Sequence, residues 1–385
     1  MLTYKYKLYK NRKDNAVLHA IIDSHAEVWN HYAALQRRYY RRYGGYITYN
    51  RMSSHCTKLK KLEKYSSWKL LPSQSIQNLL KRLDQGYQLF FKNQALRKKG
   101  GKRRVGIPKF KSMKKYKSFT LLYAGFKFHN NGRIDIKGIT YKYHNKERVA
   151  EGKVKLVTIK RNKLGELFFF VVTDHIRLED QDLTGNEAGF DFGLKTFLVG
   201  SDGRVIKRKE FLKLELRRLR QLSKIHSRTR KGKRDKDPSK RVAPSKNRER
   251  ARLNLARLHE KITNKRDDRD KKLARKMAMY YDTIVLEDLN LDGMKKLWGR
   301  KISDLGFGLF IKHLESMCNI YGSDLIFISR WFPSTKTCNT CKTVNRLITL
   351  NDREWICPSC RTTHDRDSNA SKNIYEEGMK LRSKD

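Results

Sequence analysis

Two pairs of cysteines in the C-terminal third constrain the fold of this chain more than any other feature. Cys338 and Cys341 are separated by two residues, as are Cys357 and Cys360, and 15 residues lie between the pairs. Each pair can place two thiolates on one tight turn, and two such turns supply the tetrahedral sulfur shell that zinc prefers. Because four protein ligands leave no open coordination position, the spacing predicts one structural Zn²⁺. The two other cysteines stand alone, and this clustering favours metal binding over disulfides.

The charge of the chain points to a polyanionic partner. Lysine and arginine number 88 against 39 acidic residues, which gives a formal net charge of +49. A compact protein with this excess repels itself, and neutralised phosphates would release counterions on binding, so nucleic acid is the leading candidate. An anionic membrane surface and simple solubility are the alternatives. The longest apolar run, Leu167 to Val172, has the length of a strand and is far short of the roughly 20 residues of a spanning helix. The opening residues MLTYKYKLYK contain no apolar segment typical of secretion. We therefore expect no membrane partner.

Apolar periodicity predicts both helices and strands. The predicted helices cover residues 16–43, 73–96, 210–225, about 251–281 and 305–321. The predicted strands cover residues 3–9, several segments between 119 and 172, one segment around Phe190, and residues 283–286 and 324–329. Asn131-Gly132 and Asp202-Gly203 indicate hairpin turns. The segment from Arg97 to Lys117, which contains KKGGKRR, is either a phosphate-contacting loop or a solvated one, and the charged stretch from His226 to Arg250 is expected to be flexible in part.

Three acidic motifs contain candidate metal ligands. In GFDFG, strand alternation puts the two phenylalanines on one face and Asp191 alone on the other. The apolar strand in IVLEDLN ends in Glu287 and Asp288, either of which could complete a metal site or cap the following segment. In HDRDSNA, directly after the cysteines, Asp365 and Asp367 are candidate ligands, and the alternative is an ordinary helix start with an aspartate N-cap.

Each acidic motif taken singly is better explained by capping or pairing, but the three together in a strongly basic chain favour a nuclease. Carboxylate oxygens are the ligands that Mg²⁺ prefers. Two Mg²⁺ ions held by them could activate water and stabilise the leaving 3′ oxygen of a phosphodiester, which would give in-line hydrolysis.

The order of these motifs resembles the TnpB family, the RuvC-type nucleases of insertion sequences, and the related type V CRISPR effectors. The matching text is GFDFGLKTFLVGSDG, HEKITNKRDDRD, IVLEDLNLDGM, RWFPSTKTCNTC, REWICPSC and HDRDSNASKNI, with LPSQSIQNLLKRLDQGYQLFF earlier in the chain. As in that family, the cysteine pairs lie between the second and third acidic motifs. Lys342 and Arg361 stand where a glycine often follows each cysteine pair, and Ser371 stands where alanine is usual.

The resemblance implies site residues and a domain plan. The implied catalytic, Mg²⁺-binding residues are Asp191, Glu287 and Asp367, and the implied Zn²⁺ ligands are Cys338, Cys341, Cys357 and Cys360. The implied fold is multi-domain α/β. An RNase H-like (RuvC) nuclease domain at residues 183–334 and 363–385 would contain an inserted zinc ribbon at 335–362. A wedge-like β-barrel at residues 1–12 and 117–182 would be interrupted by a helical recognition domain at 13–116.

The function that the resemblance implies is RNA-guided cleavage of DNA. A guide RNA from the transposon end and double-stranded target DNA beside a short adjacent motif would be the partners of a monomer in the prokaryotic cytoplasm, associated with the nucleoid. Two alternatives stay open on the sequence: a cleavage-deficient RNA-guided DNA-binding repressor, and a transposase or recombinase accessory protein.

Overall fold

The structure is a computed structural model that describes residues 2–101, 105–129, 131–144, 150–175, 178, 182–208, 210–229, 245–349 and 352–383. Contacts divide the chain into two compact units, Met1–Ile176 and Arg177–Asp385. The last three residues of KKGGKRR and most of the charged stretch after His226 lie outside the described residues.

The first unit begins with a strand that leads into a group of helices. Its helices are α1 (Arg12–Tyr43), α2 (Tyr49–Leu59) and α3 (Ser73–Lys98). Helix α1 begins before the predicted start because the side chain of Asn11 accepts hydrogen bonds from the amides of Lys13 and Asp14. It ends at Gly44, whose φ of +67° closes the last turn. The sequence pattern had not indicated α2.

The strands of the first unit form two antiparallel sheets. They are β1 (Leu2–Lys7), β2 (Ser118–Leu122), β3 (Lys127–His129), β4 (Arg133–Ile136), β5 (Ile139–Lys142), β6 (Val154–Arg161) and β7 (Leu167–Thr173). One sheet has the order β1-β7-β6-β2 and the other β3-β4-β5. A bridge between Leu8 and Tyr143 connects them, and the rings of Tyr6, Tyr143 and Phe169 pack between them.

The second unit contains a mixed sheet covered by helices. Its strands are β8 (Glu187–Phe192), β9 (Leu198–Gly200), β10 (Val205–Ile206), β11 (Thr283–Glu287), β12 (Asp324–Ile328), β13 (Glu354–Ile356) and β14 (Thr363–Asp365). Its helices are α4 (Phe211–Leu214), α5 (Leu216–Arg228), α6 (Lys246–Tyr280), α7 (Leu291–Leu305), α8 (Phe307–Tyr321) and α9 (Arg366–Arg382). The large sheet has the order β10-β9-β8-β11-β12.

Two predicted helices of this unit are divided differently in the structure. The predicted helix 210–225 is broken at Glu215 into α4 and α5. The predicted start at Leu305 is instead the end of α7, which the sequence pattern did not indicate. Gly306, at a φ of +68°, separates α7 from α8, because this left-handed conformation interrupts a helix and suits glycine.

The large sheet places three strand ends at one edge. Strand β11 pairs in parallel with both β8 and β12, while β9 is antiparallel to β8 and β10 is antiparallel to β9. Phe190, Phe192 and Phe197 pack with Phe307 and Phe310 beneath the sheet. The carboxyl ends of parallel strands meet at the same edge, so residues that end β8 and β11 become neighbours.

Among the described residues, no helix combines the length and apolar character that crossing a membrane requires.

Candidate functional site

Helix α9 packs on the sheet over two close contacts that only glycine allows. A Cβ at Gly189 of β8 would lie 2.4 Å from the backbone nitrogen of Tyr375 and 2.7 Å from the carbonyl oxygen of Ser371. A Cβ at Gly378 of α9 would lie 2.3 Å from a methyl carbon of Val285 in β11. The helix backbone therefore approaches β8 and β11 more closely than any side chain would permit.

The direction of α9 brings its first turn to the carboxyl end of β8. At the other end of the strand, Glu187 accepts hydrogen bonds from the Tyr375 hydroxyl at 3.0 Å and from Arg382 at 2.7 Å. The helix thus runs antiparallel to the strand. Ser371 of the helix lies against Gly189 of the strand. The four residues from Ser371 back to Asp367 rise about 6 Å, which matches about 6.6 Å for the two residues from Gly189 to Asp191. Asp367 therefore comes to the level of Asp191.

Asp191 and Glu287 end neighbouring parallel strands. Phe190 pairs with Leu286 in the β8–β11 register, so Asp191 and Glu287 each follow a paired residue. Both carboxyl groups are partly buried. Phe190 and Phe192 lie in the core, which leaves Asp191 on the opposite face, where the alternation of GFDFG had put it.

The electrostatics indicate that the three carboxyl groups are close together. Burial raises the pKa of Asp191 to about 7, and the negative charges of Asp367 and Glu287 add to the rise. Burial, followed by the charge of Asp288, raises the pKa of Glu287 to about 7. A cluster of this kind disfavours its own ionisation, so a bound cation would stabilise it strongly.

The structure distinguishes between the two acids that end β11. Asp288 is exposed and its carboxylate accepts from Nε of Arg330 at 3.0 Å. Glu287 is the one whose charge acts on Asp191. We infer that Glu287 belongs to the acidic cluster and that Asp288 is a surface ion-pair partner.

The two acids of HDRDSNA also have different roles. Asp365 is the N-cap of α9 and accepts from the amide of Ser368 at 2.8 Å. Asp367 lies in the first turn, where its carboxylate accepts from Arg353 at 2.8 Å and from Arg366 at 3.0 Å. The capping alternative therefore applies to Asp365, while Asp367 is held by two guanidinium groups and its charge acts on Asp191.

The four clustered cysteines come together as their spacing predicted. Their sulfur atoms all lie within 4.8 Å of one another, with Cys338 to Cys360 at 3.6 Å and Cys341 to Cys357 at 3.5 Å. A tetrahedral zinc with Zn–S bonds of about 2.3 Å would place its sulfur ligands roughly 3.8 Å apart. The donor set and its spacing therefore fit one structural Zn²⁺.

The turn that follows each cysteine pair has a left-handed residue. Lys342 has a φ of +62° and Arg361 a φ of +63°, at the two positions where the resemblance had suggested glycine. The amides of these residues donate to the carbonyl oxygens of Cys338 and Cys357, which closes each turn around its sulfurs. Both tight turns are therefore formed without glycine, and each carries backbone strain at its left-handed residue.

The sequence did not predict the contacts of three residues near the cysteines: His364, Trp355 and Arg353. Nε2 of His364 lies 3.0 Å from Sγ of Cys338, and its ring packs against that of Trp355. Trp355 itself is buried among the cysteines. Arg353 precedes it and reaches Asp367. No spacing rule in the sequence would have revealed the last contact.

Two buried asparagines of α9 attach the cysteine segment to the helix. Asn369 and Asn373 donate to the carbonyl oxygen of Thr337 at 2.8 and 2.6 Å, and the amide of Asn339 donates to Asn369 at 2.9 Å. Sequence reasoning missed these residues, although their helical spacing in SNASKN was a usable signal.

The acidic cluster fits Mg²⁺ in the type of its donors, but it is looser than the cysteine cluster. Among the described histidine, cysteine and acidic side chains, the cysteines are the one group of three or more whose ligand atoms all lie within 4.8 Å. Asp367 is turned toward Arg353 and Arg366. Beside Glu287, a cavity of about 610 Å³ opens between the ends of β11 and β12 and the start of α8, which leaves room for a substrate.

Two family models match adjoining segments of the second unit and the end of the first. The OrfB_IS605 model, described as "Probable transposase", matches residues 170–297, and the Cas12f1-like TNB domain matches residues 307–374. The first segment holds Asp191 and Glu287, and the second holds the four cysteines and Asp367.

Relatives and solved structures extend the likeness over the chain. A protein of Streptomyces pristinaespiralis, named as a candidate RNA-guided DNA endonuclease, is 28% identical over 98% of this chain and 89% of its own length. One of Mycobacterium tuberculosis with the same kind of name is 29% identical over 73% of this chain and 63% of its own length. Escherichia coli InsQ, also so named, is 23% identical over 79% and 70%.

The fold is shared with a solved structure. A cryo-EM structure of a Cas12f1–sgRNA–target DNA complex aligns with a TM-score of 0.55 at 14% identity, over 95% of this chain and 83% of that one. At this identity the alignment speaks for the fold, a multi-domain α/β architecture. By its family models and its relatives, the chain is similar to the OrfB_IS605 proteins described as probable transposases and to proteins named as candidate RNA-guided DNA endonucleases.

Proposed function

We propose that the chain is an RNA-guided DNA endonuclease of an insertion sequence, in which Asp191, Glu287 and Asp367 hold two Mg²⁺ ions for phosphodiester hydrolysis. One observation carries the nuclease assignment: the charges of Asp367 and Glu287, from α9 and β11, add to the burial that raises the pKa of Asp191 in β8, and Glu287 lines a cavity. The names of the relatives supply the RNA guide and the DNA target, and the charge of +49 suits two polyanions.

The proposed domain plan follows from the same elements. The large sheet, with strands β10, β9 and β8 antiparallel and β8, β11 and β12 parallel, has the order expected of an RNase H-like nuclease domain. We assign that domain to residues 183–334 and 363–385, and the zinc ribbon to residues 335–362. The two sheets and the helices of the first unit support a wedge-like barrel at 1–12 and 117–182 and a recognition domain at 13–116.

Each side chain has a distinct part in the proposed reaction. Asp191 and Glu287 are fixed by the register of β8 and β11, so they would hold metal without rearranging. Mg²⁺, when bound, supplies a Lewis acid for the phosphate and lowers the pKa of water. Asp367 must leave Arg353 to join them, and the freed guanidinium would then be available to a substrate phosphate.

The guide is tested by the RNA that accompanies the protein. The chain is expressed with its native flanking DNA and purified, and the bound RNA is sequenced. We expect one defined species whose 3′ end extends past the boundary of the element. Heterogeneous cellular RNA would contradict guide-directed targeting and leave an unguided nuclease.

Cleavage is tested with a plasmid library that matches this RNA next to randomised sequence. Mg²⁺-dependent cutting of matched plasmids only would support the proposal, and a plasmid without a match is the control. Bound but uncut plasmids would instead indicate a repressor.

A second candidate, a role in transposition, is favoured by the description of the OrfB_IS605 model. Hydrolysis leaves free DNA ends, whereas strand transfer joins an end to a new phosphate. Sequencing of the products for joined ends therefore separates the two functions, and we expect free ends.

A further inference from the structure

Helices α5 and α6 pack against each other, and both are rich in arginine and lysine. Helix α5 carries five arginine and lysine residues and no acidic residue, and none of its side chains is fully buried. The helix packs against α6. Apolar burial alone therefore contributes little to holding this helix, while its positive charges repel one another and those of α6.

A cavity of about 300 Å³ lies between the two helices. Its lining residues are Arg218, Leu222, Asn254, Arg257, Leu258 and Lys261. The two from α5 are four residues apart, and the four from α6 recur at three- and four-residue spacing, so each set shares one helix face. Three cationic side chains, one amide and two leucines thus line a single concave surface.

The positive charge at this cavity is weakly balanced. Glu215 lies 4.0 Å from Lys261, at the limit of an ion pair. Arg257 donates to the neutral side-chain oxygen of Asn254 at 3.0 Å, a contact that orients the guanidinium. Within the described parts of the chain, the structure records no ion pair for Arg218 or Arg257. A ligand with negative charge and several acceptor oxygens would satisfy all three cations.

We propose that this cavity binds a phosphodiester group of a polynucleotide backbone. Two guanidinium groups can each offer paired N–H donors to phosphate oxygens, and the ammonium group of Lys261 adds a point charge. Leu222 and Leu258 form an apolar wall suited to the carbon face of a sugar. Contacts to a phosphate and a sugar position a strand without reading its sequence.

The proposal rests on the proposed function only in requiring that the chain binds nucleic acid. It names a place where the strand is held, separate from the carboxyl groups that would cut it. The guide RNA and the target DNA carry the same phosphodiester chemistry, and the probes distinguish them.

The test keeps the charge constant and changes only the geometry of the donors. The variant R218K/R257K in the full-length chain keeps both charges but loses the guanidinium forks, and R220K/R228K makes the same change on α5 outside the cavity. Fluorescence anisotropy measures the affinity of each for labelled single-stranded RNA, double-stranded DNA and an RNA–DNA hybrid. Circular dichroism and thermal unfolding confirm that both variants fold.

We expect R218K/R257K to bind at least one probe roughly tenfold more weakly than wild type, the factor for losing about one charge-assisted hydrogen bond, and R220K/R228K to bind like wild type. The probe that is affected identifies the polymer. Equal affinities of the two variants for all probes would overturn the proposal while leaving the proposed function intact. If wild type bound none of the probes, the proposed function itself would fail.

Discussion

The cysteine cluster and the acidic cluster lie in the same unit, but the chain assembles them in different ways. The four thiol ligands come from one short segment, Cys338–Cys360, and two local turns place them. The carboxyl groups of Asp191, Glu287 and Asp367 come from distant segments and meet through strand register and the docking of α9. A local site depends on its metal for order, whereas Asp191 and Glu287, held by the register of two strands, are positioned before metal arrives.

The largest expected effect concerns the acidic cluster alone. Replacing Asp191 by asparagine keeps the shape of the side chain but removes one negative ligand. We expect Mg²⁺-dependent DNA cleavage to fall on the order of 10³-fold or more, while nucleic-acid affinity and one zinc per chain are retained. Cleavage kinetics, binding assays and metal analysis provide the measurements.

The matched control for this variant is Asp292→Asn, which changes an acid on the exposed first turn of α7. We expect its cleavage rate to stay close to that of wild type. Wild-type cleavage by the Asp191 variant would end the assignment of the acidic cluster as the catalytic centre.

The next effect concerns the cysteine cluster alone. Cys338→Ser removes a buried sulfur ligand, and zinc binding contributes roughly 10 kcal/mol or more to the order of such segments. We expect zinc to fall from about one per chain to near zero and the segment 335–362 to exchange its amide hydrogens rapidly. The amides of β8 and β11 should stay protected.

Cys56→Ser is the control, since this cysteine lies in the first unit and outside the cluster. It should keep one zinc per chain. If β8 and β11 lost their protection together with the ribbon in Cys338→Ser, the two clusters would belong to one cooperative unit, and the contrast between them would not hold.

A smaller effect concerns the contact between the two clusters. Arg353 extends from the cysteine segment to Asp367. Arg353→Gln removes one of the two guanidinium groups on this carboxylate, so Asp367 becomes freer to bind a cation. We expect Mn²⁺, as a probe without nucleic acid, to bind roughly threefold more tightly, a size typical of a partly exposed ion pair.

Titration calorimetry with Mn²⁺ measures this affinity, and Arg346→Gln is the control on the exposed surface of the same segment. The control should leave Mn²⁺ affinity unchanged. Unchanged affinity in Arg353→Gln would mean that the two clusters act independently.

The smallest effect concerns backbone strain in the cysteine turns. Arg361 adopts a left-handed conformation, which costs a residue with a Cβ about 1 kcal/mol. Arg361→Gly should therefore raise the free energy of unfolding of the ribbon by about that amount, measured by denaturant titration with zinc bound. Arg346→Gly, at a position with negative φ, should lower it. Destabilisation by Arg361→Gly would indicate that its side chain matters more than its backbone.

Sequence patterns predicted most of the regular elements, because apolar periodicity reports which face of a segment is buried. They missed α2 and α7, and they began α8 at Leu305, the last residue of α7, because Leu305 continues the apolar pattern of α8. Gly306 was the sequence feature that could have predicted the boundary between α7 and α8. The pairing of Asp367 with Arg353 could not be predicted, since it depends on how two segments pack.

The sequence by itself determined the cysteine cluster and the faces of the strands. Ligands two residues apart need only a tight turn, and a strand side chain alternates between faces by geometry alone. The tertiary structure decided which acids belong together. It assigned Asp288 to Arg330 and Asp365 to a helix cap, and left Glu287 and Asp367 beside Asp191. Proximity between distant segments is set by sheet register and helix packing, neither of which is encoded in the spacing of the acids.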